Sequence, residues 1–436
     1  MDPHTNGLTA AANGNSNGTM DKAIEEIGTQ AFLPIRNYNL STQTVHADDN
    51  LNRMDDVAPA MHVATTFRYS KNPEELIPST YGEHASADRH IYSRETAPNT
   101  TRLESILSSI LHGPTVTYSS GLAAVHAAYV FLNPKKVSIG MGYHGCHGVL
   151  ALHEKMSGMK ILGLECAAEE LGEGDVIHLE TPLNPTGEAS NIEHYAEKAH
   201  SRGAFLLVDA TFGPPPLQDP FVQGADIVMH SGTKYFGGHS DMLCGVLAVN
   251  PKYTGKWLQK LKDERTYLGS VMGSLEGWLG VRSLRTLELR VRRQSENATR
   301  IVEWMDGLLH SNGESEDSKV VKAVVQKVQH ASLQREDMTW LKKQMPGGFG
   351  PVFGLWMKNE DLAKHLPSKL ELFHHATSLG GVESLIEWRI MSDSTVDRRV
   401  IRVSIGVENW EDLRDDFLRG FGELAKEEGK VGTDRR

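Results

Sequence analysis

The sequence predicts an α/β chain: a mostly parallel, doubly wound sheet followed by a smaller C-terminal α/β domain. Three observations predict it. Short β-prone runs alternate with helical patterns through the middle of the chain. Several of those runs, AFLLV at 204–208 among them, are continuously apolar, as strands covered on both faces must be. Polar motifs sit where the runs end, at SSG, ETPLNPT, DATFG and HSGTK. Open α/β sheets gather their ligands at the carboxyl ends of strands.

The elements follow in order. Residues 1–30 are rich in Asn, Gly, Thr and Ala and read as a disordered leader. Residues 31–85 hold short apolar pieces broken by Pro and Asn, the pattern of an extended arm. Residues 86–275 carry seven strand candidates: Thr115–Tyr118, Val137–Ile139, Lys160–Leu164, Val176–Leu179, Ala204–Val208, Asp226–Met229 and Leu243–Val249. The first meets Ser119-Ser120-Gly121 and then an apolar helical run over Leu122–Leu132. A long helical pattern from Ser274 leads into a domain over 276–436. There KVVKAVVQKV, FGPVFGLWM and IRVSIGV read as strands, HSNGESEDSK as a polar loop, and Trp410 onward as an amphipathic helix.

Composition narrows the function. A formal net charge of −11 disfavours nucleic acid or an acidic membrane as partner, though not a local pocket for one small anion. Three scattered cysteines, Cys146, Cys166 and Cys244, make no disulfide framework and point to a reducing compartment. No apolar run is long enough to span a bilayer, and the leader lacks the apolar core of a signal peptide. The expected location is the cytoplasm.

The most informative stretch is SGTKYFGGHSD, 231–241. Lys234 follows an apolar strand and is flanked by hydroxyls and glycines. A lysine partly desolvated there has a lowered pKa, which suits Schiff-base chemistry. Ser231 and Thr233 offer hydroxyls to an anion, and the glycines permit close backbone approach. The plain alternative is a surface loop with one solvated lysine. The order Gly-x4-Gly-Lys-Ser/Thr of a phosphate-binding P-loop is absent.

Eight motifs in order, VATTF, YSRETAPNTTRLE, SSGLAAV, ETPLNPT, VDATF, GADIVMHSGTKYFGGHSD, SLGGVESL and IRVSIGVE, resemble the cystathionine γ-synthase/γ-lyase and methionine γ-lyase family of pyridoxal-phosphate enzymes. The resemblance runs from about Leu40 to the last helix. It implies the fold type I, aspartate-aminotransferase-like architecture, with 86–275 as the cofactor-binding domain and pyridoxal 5'-phosphate on Lys234. Lys234 is then also the base for the substrate Cα proton. Asp209 pairs with the ring nitrogen, with Thr211 nearby; standing alone, it would read as a turn cap. Gly121 and Leu122 present backbone N–H groups to the phosphate at a helix start, where Ser119 or Ser120 is also an ordinary cap. Tyr92 and Arg94 resemble the pair that reaches the phosphate of a neighbouring subunit, which implies a homodimer or homotetramer with shared sites. Asn184 resembles a residue near the cofactor and the substrate carboxylate. Arg402 and Ser378 resemble the carboxylate's grip.

Two segments depart from the family pattern. Where a Tyr usually stacks on the cofactor ring, this chain has Tyr143-His144-Gly145-Cys146-His147. His144 takes the Tyr position in register, and Tyr143 is its rival. Metal binding by HGCH is disfavoured, because adjacent loop residues rarely close a coordination shell; no metal is expected. Thr377 stands where cystathionine-handling relatives have Glu, and IEWRIMSDSTVD replaces a Pro, Met-Thr-His segment. The pattern resembles fungal natural-product members. It implies γ-replacement on an activated homoserine, such as O-acetylhomoserine, by a sulfur, carbon or nitrogen nucleophile in secondary or sulfur amino-acid metabolism. The alternative is a carbon–sulfur β/γ-lyase acting on cystathionine, methionine or a related small amino acid. A non-catalytic relative is disfavoured by the intact Lys234, Asp209 and Arg402.

Overall fold

A computed structural model describes residues 38–52, 54–76, 90–253, 255–313 and 315–433. The predicted leader and part of the predicted arm lie outside them. The elements in chain order are α1 (Leu40–His46), α2 (Pro98–Ile110), β1 (Thr115–Tyr118), α3 (Gly121–Leu132), β2 (Lys136–Ile139), α4 (His144–Ser157), β3 (Lys160–Gly163), β4 (Val176–Glu180), α5 (Ile192–His200), β5 (Phe205–Asp209), β6 (Ile227–Ser231), β7 (Gly245–Val249), α6 (Lys256–Leu268), α7 (Ser274–Leu284), α8 (Leu287–His310), α9 (Glu316–Val324), β8 (Val325–Gln329), α10 (Met338–Gln344), β9 (Val352–Met357), α11 (Glu360–His365), β10 (His374–His375), β11 (Leu385–Trp388), β12 (Val400–Ser404) and α12 (Trp410–Thr433).

The first seven strands form one sheet in the order β1-β7-β6-β5-β4-β2-β3. Only β7 runs against its neighbours; the other pairs are parallel. Helices cover both faces, so the strand interiors are apolar in succession, and β7 is buried at every position. A second sheet, β10-β11-β12-β9-β8, is antiparallel except for its short β10–β11 edge. No helix among the described residues is long and apolar enough to cross a membrane.

α8 joins the two layers. Its Leu287 and Val291 belong to the core around the first sheet, while Ala298, Ile301, Val302 and Met305 belong to the core of the second. Apolar residues at helical spacing thus build both cores from one element, each buried aliphatic side chain contributing roughly 1.5–3 kcal/mol. The expected strand KVVKAVVQKV is corrected: its first part is α9 and only Val325 onward is strand. Ser315 caps α9 by accepting from the Ser318 N–H, Glu316 and Asp317 occupy its first turn, and Val321 and Val324 are buried at helical spacing. Those signals outweigh the β-propensity of the valines.

The segment before the sheet is not simply extended. α1 is helical, and Asp48 beside it is fully buried, accepting from Arg102 at 2.9 Å and Arg285 at 2.7 Å. The VATTF stretch pairs with the chain around Tyr92 through Thr66, with Ser93 N–H donating to Thr65 O at 2.8 Å.

Candidate active site

The carboxyl ends of β4, β5 and β6 bring Glu180, Asp209 and Ser231 to one rim of the sheet. Lys234 follows β6 in a tight turn closed by Gly237 N–H to Gly232 O at 2.8 Å and Gly238 N–H to Lys234 O at 2.7 Å. Gly238 has φ +66°, and a Cβ there would sit 2.0 Å from Arg290 Nη1, so only glycine fits. Lys234 Nζ donates to Ser378 Oγ at 2.8 Å. Burial first, then the Arg402 guanidinium, lowers the Lys234 pKa to about 8, with Glu387 opposing.

Arg402 lies on β12 directly opposite Glu387 on β11. Its Nη2 is 2.7 Å from Glu387 Oε2 and 2.9 Å from Ser378 O, and its Nη1 donates to Asn184 Oδ1 at 3.3 Å. Arg389 Nη1 approaches the same Glu387 oxygen at 3.2 Å, while Ser392 Oγ donates to Oε1 at 2.5 Å. One buried carboxylate thus serves two buried arginines. Glu180 ties two loops together: it accepts from Tyr143 N–H and Asn184 N–H, both at 2.7 Å. Burial and the nearby Asp209 carboxylate hold Glu180 well above the usual carboxylate range.

At the other end of the rim, the Ser120 hydroxyl caps α3 by accepting from Ala123 N–H at 3.2 Å. The Gly121 and Leu122 N–H groups follow it in the first turn, where a helix favours an anion. A Cβ on Gly121 would meet Ser231 Oγ at 3.0 Å, so this turn lies against the β6 end. Thr211 donates from its hydroxyl to Asp209 Oδ1 at 2.6 Å and accepts from Ser231 N–H at 2.9 Å. Thr233 spends its hydroxyl on the Cys244 backbone, accepting from N–H at 3.0 Å. It is therefore less free for an anion than Ser231.

Lys234, Ser378, Arg402, Asn184, Thr211, Asp209, Ser231 and the α3 turn thus lie along one connected rim. Tyr143 stands at the N-terminal boundary of α4 without a side-chain capping bond, its ring 4.9 Å from that of His144. Burial raises the Tyr143 pKa, Cys146 adds to it, and Arg389 and Arg402 act in the opposite direction. Tyr143 and His144 are both exposed. Thr377 is exposed beside Ser378. Tyr92 and Arg94 are exposed too, with the guanidinium 5.0 Å from the Tyr92 ring centre. Among the described residues, no hydrogen bond or ion pair joins Arg94 to the Lys234 rim. Cys146 does not converge with His144 and His147 as potential ligands. It converges with His178 and Asp209.

The rim fits pyridoxal phosphate. Burial raises the Asp209 pKa, the two Thr211 hydrogen bonds only partly offsetting it, and no cationic side chain bonds this carboxylate among the described residues. A protonated ring nitrogen is the partner it lacks. The family described as Cys/Met metabolism PLP-dependent enzyme matches residues 41–422. The chain belongs to this family. Cystathionine β-lyase of Lactococcus lactis subsp. cremoris is 32% identical over 78% of this chain and 90% of its own. The chloroplastic cystathionine β-lyase of Arabidopsis thaliana is 28% identical over 95% of this chain and 87% of its own. Among solved structures, CalE6 from Micromonospora echinospora, a methionine γ-lyase, superposes with a TM-score of 0.74 at 29% identity, covering 88% of this chain and 99% of that one. The metB structure from Corynebacterium glutamicum gives a TM-score of 0.77 at 26% identity, covering 90% and 100%.

As a Cys/Met metabolism PLP-dependent enzyme, the protein uses pyridoxal phosphate, and the expected fold type I architecture, cofactor and enzyme class all hold. Three site residues escape sequence reasoning. Glu180 was visible only as part of ETPLNPT. Glu387 and Arg389 lie in the departing IEWRIMSD segment, where no local pattern announces that a buried carboxylate faces Arg402 across two strands.

Proposed function

We propose that this enzyme is a carbon–sulfur lyase that cleaves cystathionine or a related sulfur amino acid by β- or γ-elimination. One observation carries the choice: the relatives that match over most of both chains are cystathionine β-lyases and γ-lyases. They favour this reading over the γ-replacement expected from the altered pocket. Bound pyridoxal phosphate supplies an electron sink for charge developing at the substrate Cα. The chain's own residues do the rest. The Gly121–Leu122 turn and Ser231 hold the phosphate, and Asp209 keeps a proton on the ring nitrogen. Arg402, steadied by Asn184 and the Ser378 carbonyl, binds the substrate α-carboxylate through its planar fork. Lys234 would hold the cofactor, and its amine, with a pKa of about 8, is matched to taking the Cα proton near neutral pH. Tyr143, or its neighbour His144, stacks on the cofactor ring or passes a proton to the leaving sulfur. Tyr92 and Arg94, exposed and apart from their own rim, serve a neighbouring protomer's phosphate in a homodimer or homotetramer.

Product analysis with cystathionine tests the proposal. β-Elimination gives homocysteine, pyruvate and ammonia; γ-elimination gives cysteine, 2-oxobutanoate and ammonia. The second reading, γ-replacement, is favoured by Thr377, which leaves no acid beside Ser378 to meet a distal ammonium. It requires O-acetylhomoserine to be consumed faster when a nucleophile is present, yielding a γ-substituted amino acid, with cystathionine left intact. That result would displace the lyase reading.

A further inference from the structure

A buried chain of polar groups lies behind Asp209. β4 and β5 run parallel, with Glu180 opposite Asp209 and His178 opposite Leu207. Side chains alternate along strands, so His178 and Asp209 share one face of the sheet. α3 and α4 bring Tyr129 and Cys146 to that face, and all four side chains are buried. Tyr129 Oη and His178 Nδ1 are 2.5 Å apart. His178 Nε2 is buried with no hydrogen-bond partner. A nitrogen of His178, the Cys146 sulfur and a carboxylate oxygen of Asp209 all lie within 4.8 Å of one another.

Protonation states follow from burial. It holds the Tyr129 phenol well above its ordinary pKa and lowers that of the His178 imidazole to about 4. Near neutral pH the phenol therefore keeps its proton and the imidazole has one N–H. Tyr129 donates to Nδ1, which places that N–H on Nε2. A buried N–H needs an acceptor. Burial keeps Cys146 a neutral thiol, a weak acceptor, so of the two groups that lie within 4.8 Å of a His178 nitrogen the Asp209 carboxylate is the stronger acceptor. Thr211 fixes only Oδ1 of that carboxylate.

We propose that His178, oriented by Tyr129, is a positioning residue for Asp209: its Nε2–H bonds the carboxylate and keeps it ionised and aimed at the cofactor's ring nitrogen. This rests on the assignment of Asp209 made above. It is independent of whether the enzyme eliminates or replaces.

The experiment compares His178→Leu, His178→Gln, His178→Asn, Asp209→Asn and the His178→Leu/Asp209→Asn double variant. It measures the dissociation constant for pyridoxal phosphate, the absorbance of the bound cofactor, kcat and KM separately, and Tm. His178→Leu should weaken cofactor binding and lower kcat, each by about tenfold to a hundredfold, the worth of a hydrogen bond to a charged group, with KM little changed. His178→Gln, whose amide sits near the Nε2 position, should recover most of both; His178→Asn, whose amide sits near Nδ1, should not. In the Asp209→Asn background, His178→Leu should change nothing further. If the Leu variant fails to fold, the Gln and Asn variants carry the same comparison. Wild-type cofactor affinity and kcat in His178→Leu, a Gln variant no better than Asn, or effects that simply multiply in the double variant would overturn the proposal. So would stoichiometric, tight zinc binding by the cofactor-free protein that Cys146→Ser abolishes, since the three side chains would then be a metal site. If Asp209→Asn alone leaves cofactor affinity and absorbance unchanged, the Asp209 assignment itself falls.

Discussion

The lowered pKa of Lys234 predicts a measurable reactivity. In the cofactor-free protein the amine titrates at about 8 rather than at its ordinary 10.5. At pH 7.5 about a quarter of Lys234 is then neutral, against about one part in a thousand for an ordinary lysine, roughly a two-hundredfold difference in nucleophilic amine. Fluorodinitrobenzene labelling of the apoprotein across pH 6–11, followed by quantification of the Lys234 peptide, reads this directly. The exposed Lys160 serves as the internal reference. The midpoint for Lys234 should fall near 8. Burial is the larger cause and Arg402 the next, so Arg402→Gln should move the midpoint upward without restoring 10.5. The sign for stability follows: a depressed lysine pKa favours the folded state above the unfolded value, and that contribution is lost as pH falls through about 8. A Lys234 midpoint indistinguishable from that of Lys160 would refute the desolvated amine and, with it, the role given to this residue as a base near neutral pH.

Other outcomes are also expected. Arg402→Lys should raise KM substantially while leaving cofactor affinity near normal, because lysine keeps the charge and loses the fork; wild-type KM would place the carboxylate elsewhere. Arg94→Ala should weaken cofactor binding about tenfold to a hundredfold. Mixed with Lys234→Ala, it should regain activity through hybrid dimers; no regain despite demonstrated subunit exchange would count against a shared site. Asp48→Ala should destabilise the fold by about 3 kcal/mol in denaturant unfolding, since it leaves Arg102 and Arg285 without their buried partner; an unchanged midpoint would show that this anchor contributes little.

The central sheet was legible because its strands, the exposed edge strand β3 apart, are buried on both faces. All seven candidate runs became strands, the first with its expected ends and the others displaced by one or two residues, and the ligand motifs fell at the strand ends as the architecture requires. The C-terminal domain was harder. Its strands β9, β11 and β12 are buried almost throughout, but β8 is partly exposed and the short β10 exposed, and α9 runs into β8 without a break. Within the rim, residues announced by local motifs, such as Lys234 and Asp209, were readable. Residues that matter through long-range pairing were not. Glu387 gains its meaning only from its register opposite Arg402, and Asp48 only from two arginines more than 50 and more than 230 positions away.

Electrostatic coupling within the rim bears on how substrate and base are matched. Arg402 both binds the substrate carboxylate in the proposed assignment and lowers the pKa of Lys234. Before substrate arrives, Glu387 screens Arg402 only in part, because Arg389 and Ser392 share the same carboxylate. An incoming α-carboxylate therefore finds residual positive charge without expelling Glu387, which stays held by its other partners. In that assignment a bound α-carboxylate would cancel much of the field that Arg402 exerts on Lys234 and so raise the proton affinity of the amine. The amine would then be the more nucleophilic while the site is empty and the more basic once a substrate fills it. A lysine perturbed by burial alone would lack this response, which in the proposed assignment depends on Glu387 being shared between Arg402 and Arg389.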